Sequence, residues 1–169
     1  MFKRILFTAT CIFVLTTSYS QENIIKASAL LGNVGLQYER ALTEHFSLVG
    51  QLGYSRLANS NNSVETVSTG FGYYLEGRYY FSANKDGMEG WHLGAFYNAI
   101  NTKSSDDFET NISSIGLASG YQWVYDSNVT FGLVFGAGTY DLDSEQDRGL
   151  FIDGLTFWPH LGLNLGYSF

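Results

Sequence analysis

From residue 46 to the last residue the sequence keeps returning to a period of two. Phe46, Leu48, Gly50, Leu52 and Tyr54 interleave with Ser47, Val49, Gln51, Gly53 and Ser55. Phe71, Tyr73, Leu75, Tyr79 and Phe81 interleave with Gly72, Tyr74, Glu76, Arg78 and Tyr80. Leu161, Leu163, Leu165, Tyr167 and Phe169 interleave with Gly162, Asn164, Gly166 and Ser168, and the same phase recurs near 91–98, 115–123 and 129–136. Successive side chains of a strand point to opposite faces, so the pattern describes a series of half-buried strands. One face is bulky and apolar. The other is built of Gly, Ser, Asn, Gln and a few charges, and most of the 19 glycines fall on it. A soluble sandwich would bury the bulky face and turn Lys, Glu and Thr toward water. The second face here is too small and too poor in charge for that. A narrow barrel with small residues inside and lipid outside satisfies both faces. No run in this part of the chain approaches the roughly 20 apolar residues of a spanning helix.

The first twenty residues follow a different rule. Met1-Phe2-Lys3-Arg4 is basic, Ile5–Leu15 is mostly apolar, and Ser18 and Ser20 supply a small-x-small pattern. That is the layout of a secretory signal, with a core too short to span a bilayer. The expected organisation is a signal peptide over 1–20 and one barrel domain over 21–169. Cys11, the single cysteine, belongs to the signal, so no disulfide or cysteine metal site is expected. The formal charge of −7 makes nucleic acid a poor partner.

Strand count follows from phase. Between Asn23 and Leu42 the apolar positions switch from odd (Ile25, Ala27, Ala29, Leu31) to even (Val34, Leu36, Tyr38, Leu42). Gly32-Asn33 sits at the switch and reads as a two-residue hairpin turn, pairing Leu31 with Val34 and Lys26 with Glu39. Eight strands result, at about 23–31, 34–42, 46–57, 66–81, 90–102, 112–125, 129–140 and 155–169. The fold class is all-β, an eight-stranded antiparallel up-and-down transmembrane β-barrel. Residues 58–65, 103–111 and 141–154 are longer polar connections, the asymmetry expected of outer loops against short inner turns. Tyr38, Phe46, Tyr79, Phe81, Trp91, Trp123, Tyr125, Tyr167 and Phe169 fall near one end of the lipid-facing surface. Tyr54, Phe71, Tyr97 and Phe157 fall near the other, as two interfacial girdles would. Pro159 cannot donate to a ladder and is expected near the outer rim.

Four charged residues fall on the inner face: Lys26, Glu39, Glu76 and Arg78. Two cations and two anions can neutralise one another, and buried charges must pair. The expectation is a salt-bridge network that plugs the lumen; the competing reading is a selectivity constriction in a narrow pore. Tyr74, Tyr80, Phe96, Tyr140 and Trp158 also point inward, which argues against a wide channel.

At this point the chain resembles the small outer-membrane β-barrel family of Gram-negative bacteria, the OmpA/OmpX-like eight-stranded proteins. The resemblance rests on the signal segment, on the strand ending Leu36-Gln37-Tyr38-Glu39-Arg40-Ala41-Leu42, and on the terminus Leu163-Asn164-Leu165-Gly166-Tyr167-Ser168-Phe169. It implies Sec export, an outer-membrane location, and contact with outer-membrane lipid and lipopolysaccharide. It also implies that Tyr167 and Phe169 form the signal read by the barrel-assembly machinery, although Asn164 stands where the fuller signal prefers Gly.

Chemistry-bearing motifs are sparse. Asp141, Asp143, Glu145 and Asp147 have the spacing of a calcium loop, but Gln146 and Ile152 replace its required Gly and Glu. His45 lies close to Ser47 and Glu44, at an exposed turn, while His92 and His160 point inward without an evident Ser–acid partner. No phosphate loop, HExxH or CxxC occurs. No catalytic residue, metal site or cofactor is expected. The reading is a monomeric, non-enzymatic outer-membrane barrel with a structural or surface-interaction role and a largely plugged, at most porin-like lumen. The alternatives are a narrow small-solute pore and a soluble, exported, lipocalin-like barrel whose bulky face would have to turn inward.

Overall fold

The computed structural model describes residues 23–61, 64–82, 88–104, 109–144 and 157–169. Eight strands follow in chain order: β1 (Asn23–Leu30), β2 (Asn33–Ala41), β3 (Phe46–Asn61), β4 (Val64–Tyr80), β5 (Gly90–Ser104), β6 (Glu109–Val124), β7 (Val129–Ser144) and β8 (Phe157–Ser168). Each is antiparallel to its neighbours, and β8 pairs with β1 to close the barrel. The all-β, up-and-down expectation holds. The signal segment 1–20 and residues 145–153 of the acidic stretch lie outside the described residues, as do the side chains of Tyr140, Asp141, Asp143, Phe157 and Trp158.

The closure has a definite stagger. From Ser168 the paired residues run through Ile24, Glu39, Val49, Glu76, Phe96, Gly116 and Gly138 to Trp158, so one circuit climbs from 168 to 158, ten residues up β8. Eight strands with that shear tilt by about 40° and leave room inside only for side chains. The tilt also sets the height of the outward apolar band. On the β4 side it runs from Phe81 to Phe71. Ten residues at about 3.3 Å each, tilted about 40°, give a band roughly 25 Å tall.

The two faces are cleanly separated. Leu52 is 74% exposed and Phe71 79%, whereas Val49 and Tyr74 are fully buried inside. The soluble lipocalin-like alternative needed the opposite orientation and is excluded by this one. Outward aromatics occupy two levels. Phe46 pairs with Tyr79, and Trp91, Tyr121, Trp123 and Phe131 form a chain of ring contacts along the inner end. Tyr54 pairs with Phe71, and Tyr73 meets Tyr97, along the outer end.

Inside, long side chains lie over glycines of the adjacent strand. Lys26 pairs with Gly166, His92 with Gly120, Asn164 with Gly132 and Leu30 with Gly162. A Cβ on Gly166 would stand 2.6 Å from Lys26 Cγ, and one on Gly94 2.8 Å from Glu76 Cγ. The inner glycines therefore make room for their neighbours' side chains. At the base, Ile24, Tyr80 and Met88 pack together with Ala41. Higher up, Leu30, Val49, Tyr74, Phe96, Ala118 and Val134 meet across the lumen from six strands.

Two details correct the sequence reading. The first turn is Leu31–Gly32 rather than Gly32–Asn33: Gly32 takes φ 83°, and Leu30 pairs with Asn33. The register moves by two residues, so Lys26 faces Gln37 and Glu39 faces Ile24. A shift of two preserves which side chains face inward, so alternation alone could not detect it. Strands β3, β5, β6 and β7 also extend past their expected outer ends, reaching Asn61, Ser104, Glu109 and Ser144. The ladder continues there after the apolar alternation has stopped.

Pro159 occupies a permissive place. Odd-numbered residues of β8 direct their backbone groups to β1, as Phe169 N–H does to Asn23 O. The β1 side of that ladder ends where Leu31 N–H donates to Leu161 O. The donor that Pro159 lacks would point beyond the end of β1, and no strand bond is lost.

Candidate functional site

The charged layer starts from four short facts of sequence. Inward parity places Lys26 on β1, Glu39 on β2, and Glu76 and Arg78 on β4. All four are at most 1% exposed. Residues 76 and 78 share a face because they are two apart on one strand. Lys26 reaches Glu39 diagonally across the β1–β2 ladder, and the two form an ion pair.

Glu39 is the hub. Its Oε1 accepts from Ser47 Oγ at 2.6 Å and from the Tyr80 hydroxyl at 2.8 Å. Its Oε2 accepts from Lys26 and from Arg78 Nη1 at 3.2 Å. Arg78 Nε in turn donates to Glu76 Oε2 at 2.6 Å. Lys26 Nζ also donates to Gln122 Oε1 at 2.5 Å, and Gln122 Nε2 donates to the Met88 carbonyl at 2.6 Å. The chain of bonds thus ties β1, β2, β3, β4 and β6 to the residue that leads into β5. The four formal charges sum to zero. Two apolar clusters flank the network: Ile24, Tyr80 and Met88, and the six-strand cluster, whose Val49 pairs with both Glu39 and Glu76. Such burial is tolerable because Glu39 accepts four hydrogen bonds and Arg78 pairs with both carboxylates, while Glu76 Oε1 and Arg78 Nη2 bond to nothing among the described residues.

Ser47, Tyr80, Gln122 and Met88 were not among the residues singled out from sequence as members of this layer. Parity puts Ser47, Tyr80 and Gln122 on the inner face, but their height depends on register, which parity does not give. Met88 lies outside any strand and had no sequence signal.

The outer part of the lumen is different in kind. His160 stacks on Phe96 at 4.4 Å and on Tyr74 at 5.0 Å between ring centroids. Around that level, among the described residues, buried Asn33 and the Asn98 carbonyl oxygen find no hydrogen-bond partner, and neither does His160 Nε2.

The candidate histidine–serine pair does not assemble. Ser47 turns inward to Glu39, while His45 turns outward, stacks on Tyr79 and places Nδ1 2.9 Å from the Tyr80 carbonyl. His92 lies against Tyr80 inside the barrel. Among the described residues no group of three His, Cys, Asp or Glu side chains is placed to hold a metal ion. Tyr167 and Phe169 are exposed on the outward face of β8, and Phe169 exchanges backbone bonds with Asn23 at the closing seam.

A family model described as "Protein of unknown function (DUF3575)" matches residues 5–148, which leaves β8 outside the matched stretch. No curated protein matches the sequence. Among solved structures the chain is similar to the crystal structure of Acinetobacter baumannii CarO. The identity is 12% and the TM-score 0.51, with 89% of this chain and 98% of the other covered. At that identity the likeness concerns the fold.

Proposed function

The chain belongs to the DUF3575 family, and we propose that it is an integral outer-membrane barrel with a structural or surface-interaction role. One observation carries this reading. Large apolar side chains are exposed on all eight strands, from Ile25 and Leu36 through Leu52, Phe71, Trp91, Ile115 and Leu133 to Leu165. A water-solvated monomer does not present such a continuous surface, and a bilayer requires it. On this reading residues 1–20 direct Sec export, and Tyr167 and Phe169 present the outward aromatic terminus to the assembly machinery, as in OmpA/OmpX-like barrels. Lipid and lipopolysaccharide are its surroundings, and it acts as a monomer without catalysis. The charged layer and the two apolar clusters make the lumen a rigid plug.

Carbonate extraction and a heat-modifiability gel test the location. A carbonate-insoluble protein whose mobility shifts on boiling is expected, and a carbonate-soluble monomer without a shift would sink the reading. An unchanged lipid A mass spectrum on overexpression is expected of a non-enzymatic barrel.

The second reading is a narrow solute pore. It is favoured by the buried polar atoms of Asn33, Asn98 Oδ1 and His160 Nε2, which have no hydrogen-bond partner among the described residues. Planar-bilayer recordings separate the two: silence supports the plug, and steady single-channel steps support the pore.

A further inference from the structure

We propose that the barrel passes water in single file along one register line of its lumen while holding back ions. This goes beyond the structural role above. It rests on the membrane reading, which gives the lumen two aqueous ends.

The line begins near the inner rim on β7. Thr130 pairs with Gly166 of β8, and Gly166 pairs with Lys26 of β1. From Lys26 the line passes to Gln37, Gln51, Tyr74, Asn98 and Ser114, one residue on each of β2 to β6. Ser114 pairs with Tyr140, back on β7 and ten residues above Thr130. One circuit of the barrel therefore carries the line from the inner end of the lumen to the outer. From Thr130 to Ser114 every residue on it except Gly166 is polar, and each of these is at most 6% exposed. The adjoining lines are interrupted by apolar side chains, Ile24, Val49 and Phe96 on the inner flank and Ile100 and Ile112 on the outer.

Hydrogen bonding along the line is left half made. Gln37 Nε2 donates to Gln51 Oε1 at 3.2 Å, which uses one atom of each amide. Gln37 Oε1, Gln51 Nε2, Asn98 Oδ1 and Thr130 Oγ1 have no hydrogen-bond partner among the described residues. Buried polar atoms of this kind hold water, which makes about three bonds of its own. Directly paired residues keep their Cβ atoms about 5 Å apart. One water spans such a step with two hydrogen bonds of about 2.8 Å each. Room lies beside the line: Gly35, Gly53 and Gly72 pair with one another along its outer flank. The Asn33 amide over the last two adds two more polar atoms without partners among the described residues. At the inner end the Lys26 stem and the Thr130 hydroxyl both lie over Gly166, while the ammonium turns aside to Glu39 and Gln122. Selectivity follows from the same residues. Water exchanges one neutral hydrogen bond for another. An ion surrenders its hydration shell to amides and hydroxyls, then meets Lys26 and Glu39, fixed charges of both signs.

Stopped-flow osmotic shrinkage of phosphatidylcholine vesicles that carry the folded, full-length barrel tests this. They should shrink several-fold faster than protein-free vesicles, while planar-bilayer recordings in potassium chloride stay silent. Gln51→Leu should remove the excess rate. Asn98→Leu, higher on the same line, should do so too, and it decides the matter if Gln51→Leu does not reach the heat-modifiable form. Asn164→Leu makes the same change to a buried amide on the adjoining line and should keep the excess rate. An inserted, heat-modifiable wild-type barrel with no excess rate overturns the proposal. So does an excess rate that survives in the folded line variants, or one lost equally in Asn164→Leu. Single-channel steps accompanying the water flux also overturn it, since the lumen would then be an ion pore. A carbonate-soluble protein would instead remove the membrane reading on which the proposal rests.

Discussion

The inner and outer ends of the lumen differ in how far their polar groups are connected. At the inner end, one carboxylate collects four hydrogen bonds, and the long side chains of Lys26, Arg78 and Gln122 bridge strands that are not neighbours. At the outer end, Asn33 and Asn98 lie buried with polar atoms that bond to nothing among the described residues. The inner end is a connected network in which every charge has an ionic partner, although Glu76 Oε1, Arg78 Nη2 and His92 Nδ1 bond to nothing among the described residues. The outer end is a set of short side chains fitted among glycines such as Gly53 and Gly72. Removing one member should therefore be felt through the whole inner layer and only locally in the outer one.

The largest effect is expected at Glu39. Glu39→Ala leaves Lys26 and Arg78 buried without their shared carboxylate, and should cost about 3–5 kcal/mol. Urea unfolding in micelles, followed by tryptophan fluorescence, measures it. A loss below about 1 kcal/mol would show that the inner layer is not connected in the way described. Next comes the charge exchange. Lys26→Glu alone should abolish the heat-modifiable form. Adding Glu39→Lys should recover only part of it, because a lysine at position 39 faces Arg78 as well. Full recovery would mean that Arg78 does not share Glu39.

Glycine substitutions refine the contrast. Gly94→Ala puts a methyl into Glu76 and should cost about 1–3 kcal/mol. The outward Gly50→Ala meets only Leu75 Cδ2, at 3.8 Å, and should stay within about 0.5 kcal/mol by the same urea titration. The smallest effect is expected at the outer end. Asn98→Leu replaces an amide whose oxygen has no partner among the described residues, and should change stability by about 1 kcal/mol or less, in either direction. If it destabilises as much as Glu39→Ala, the distinction between the two ends collapses.

These residues also mark what the sequence could disclose. Alternation separates lipid-facing from lumen-facing positions because side-chain period and pleat are the same number. It put Lys26, Glu39, Glu76 and Arg78 on one inner surface, and the structure places them within one bonded cluster. It could not fix how far one strand slides on the next, since slides of two residues leave the faces unchanged. The turn shifted for that reason. Gln122 escaped notice for a related one: it meets Lys26 only once six strands have been wound with the observed stagger. Strand ends beyond the lipid were illegible because backbone pairing there no longer depends on apolar side chains. His45 and Ser47, adjacent but for one residue, looked like a pair and are separated by facing opposite directions around the β2–β3 turn.

The short first hairpin has a mechanical consequence. Strands β1 and β2 have 8 and 9 residues, against 16 and 17 in β3 and β4. Both described chain ends, Asn23 and Phe169, meet at the inner rim of the seam that closes on that hairpin. A force applied to either end therefore loads the β1–β8 seam first and unzips it one bond at a time. In a single-molecule pulling experiment the hairpin β1–β2 should leave as the shortest step when the barrel is drawn out from Asn23, and the tall hairpins should follow as longer ones.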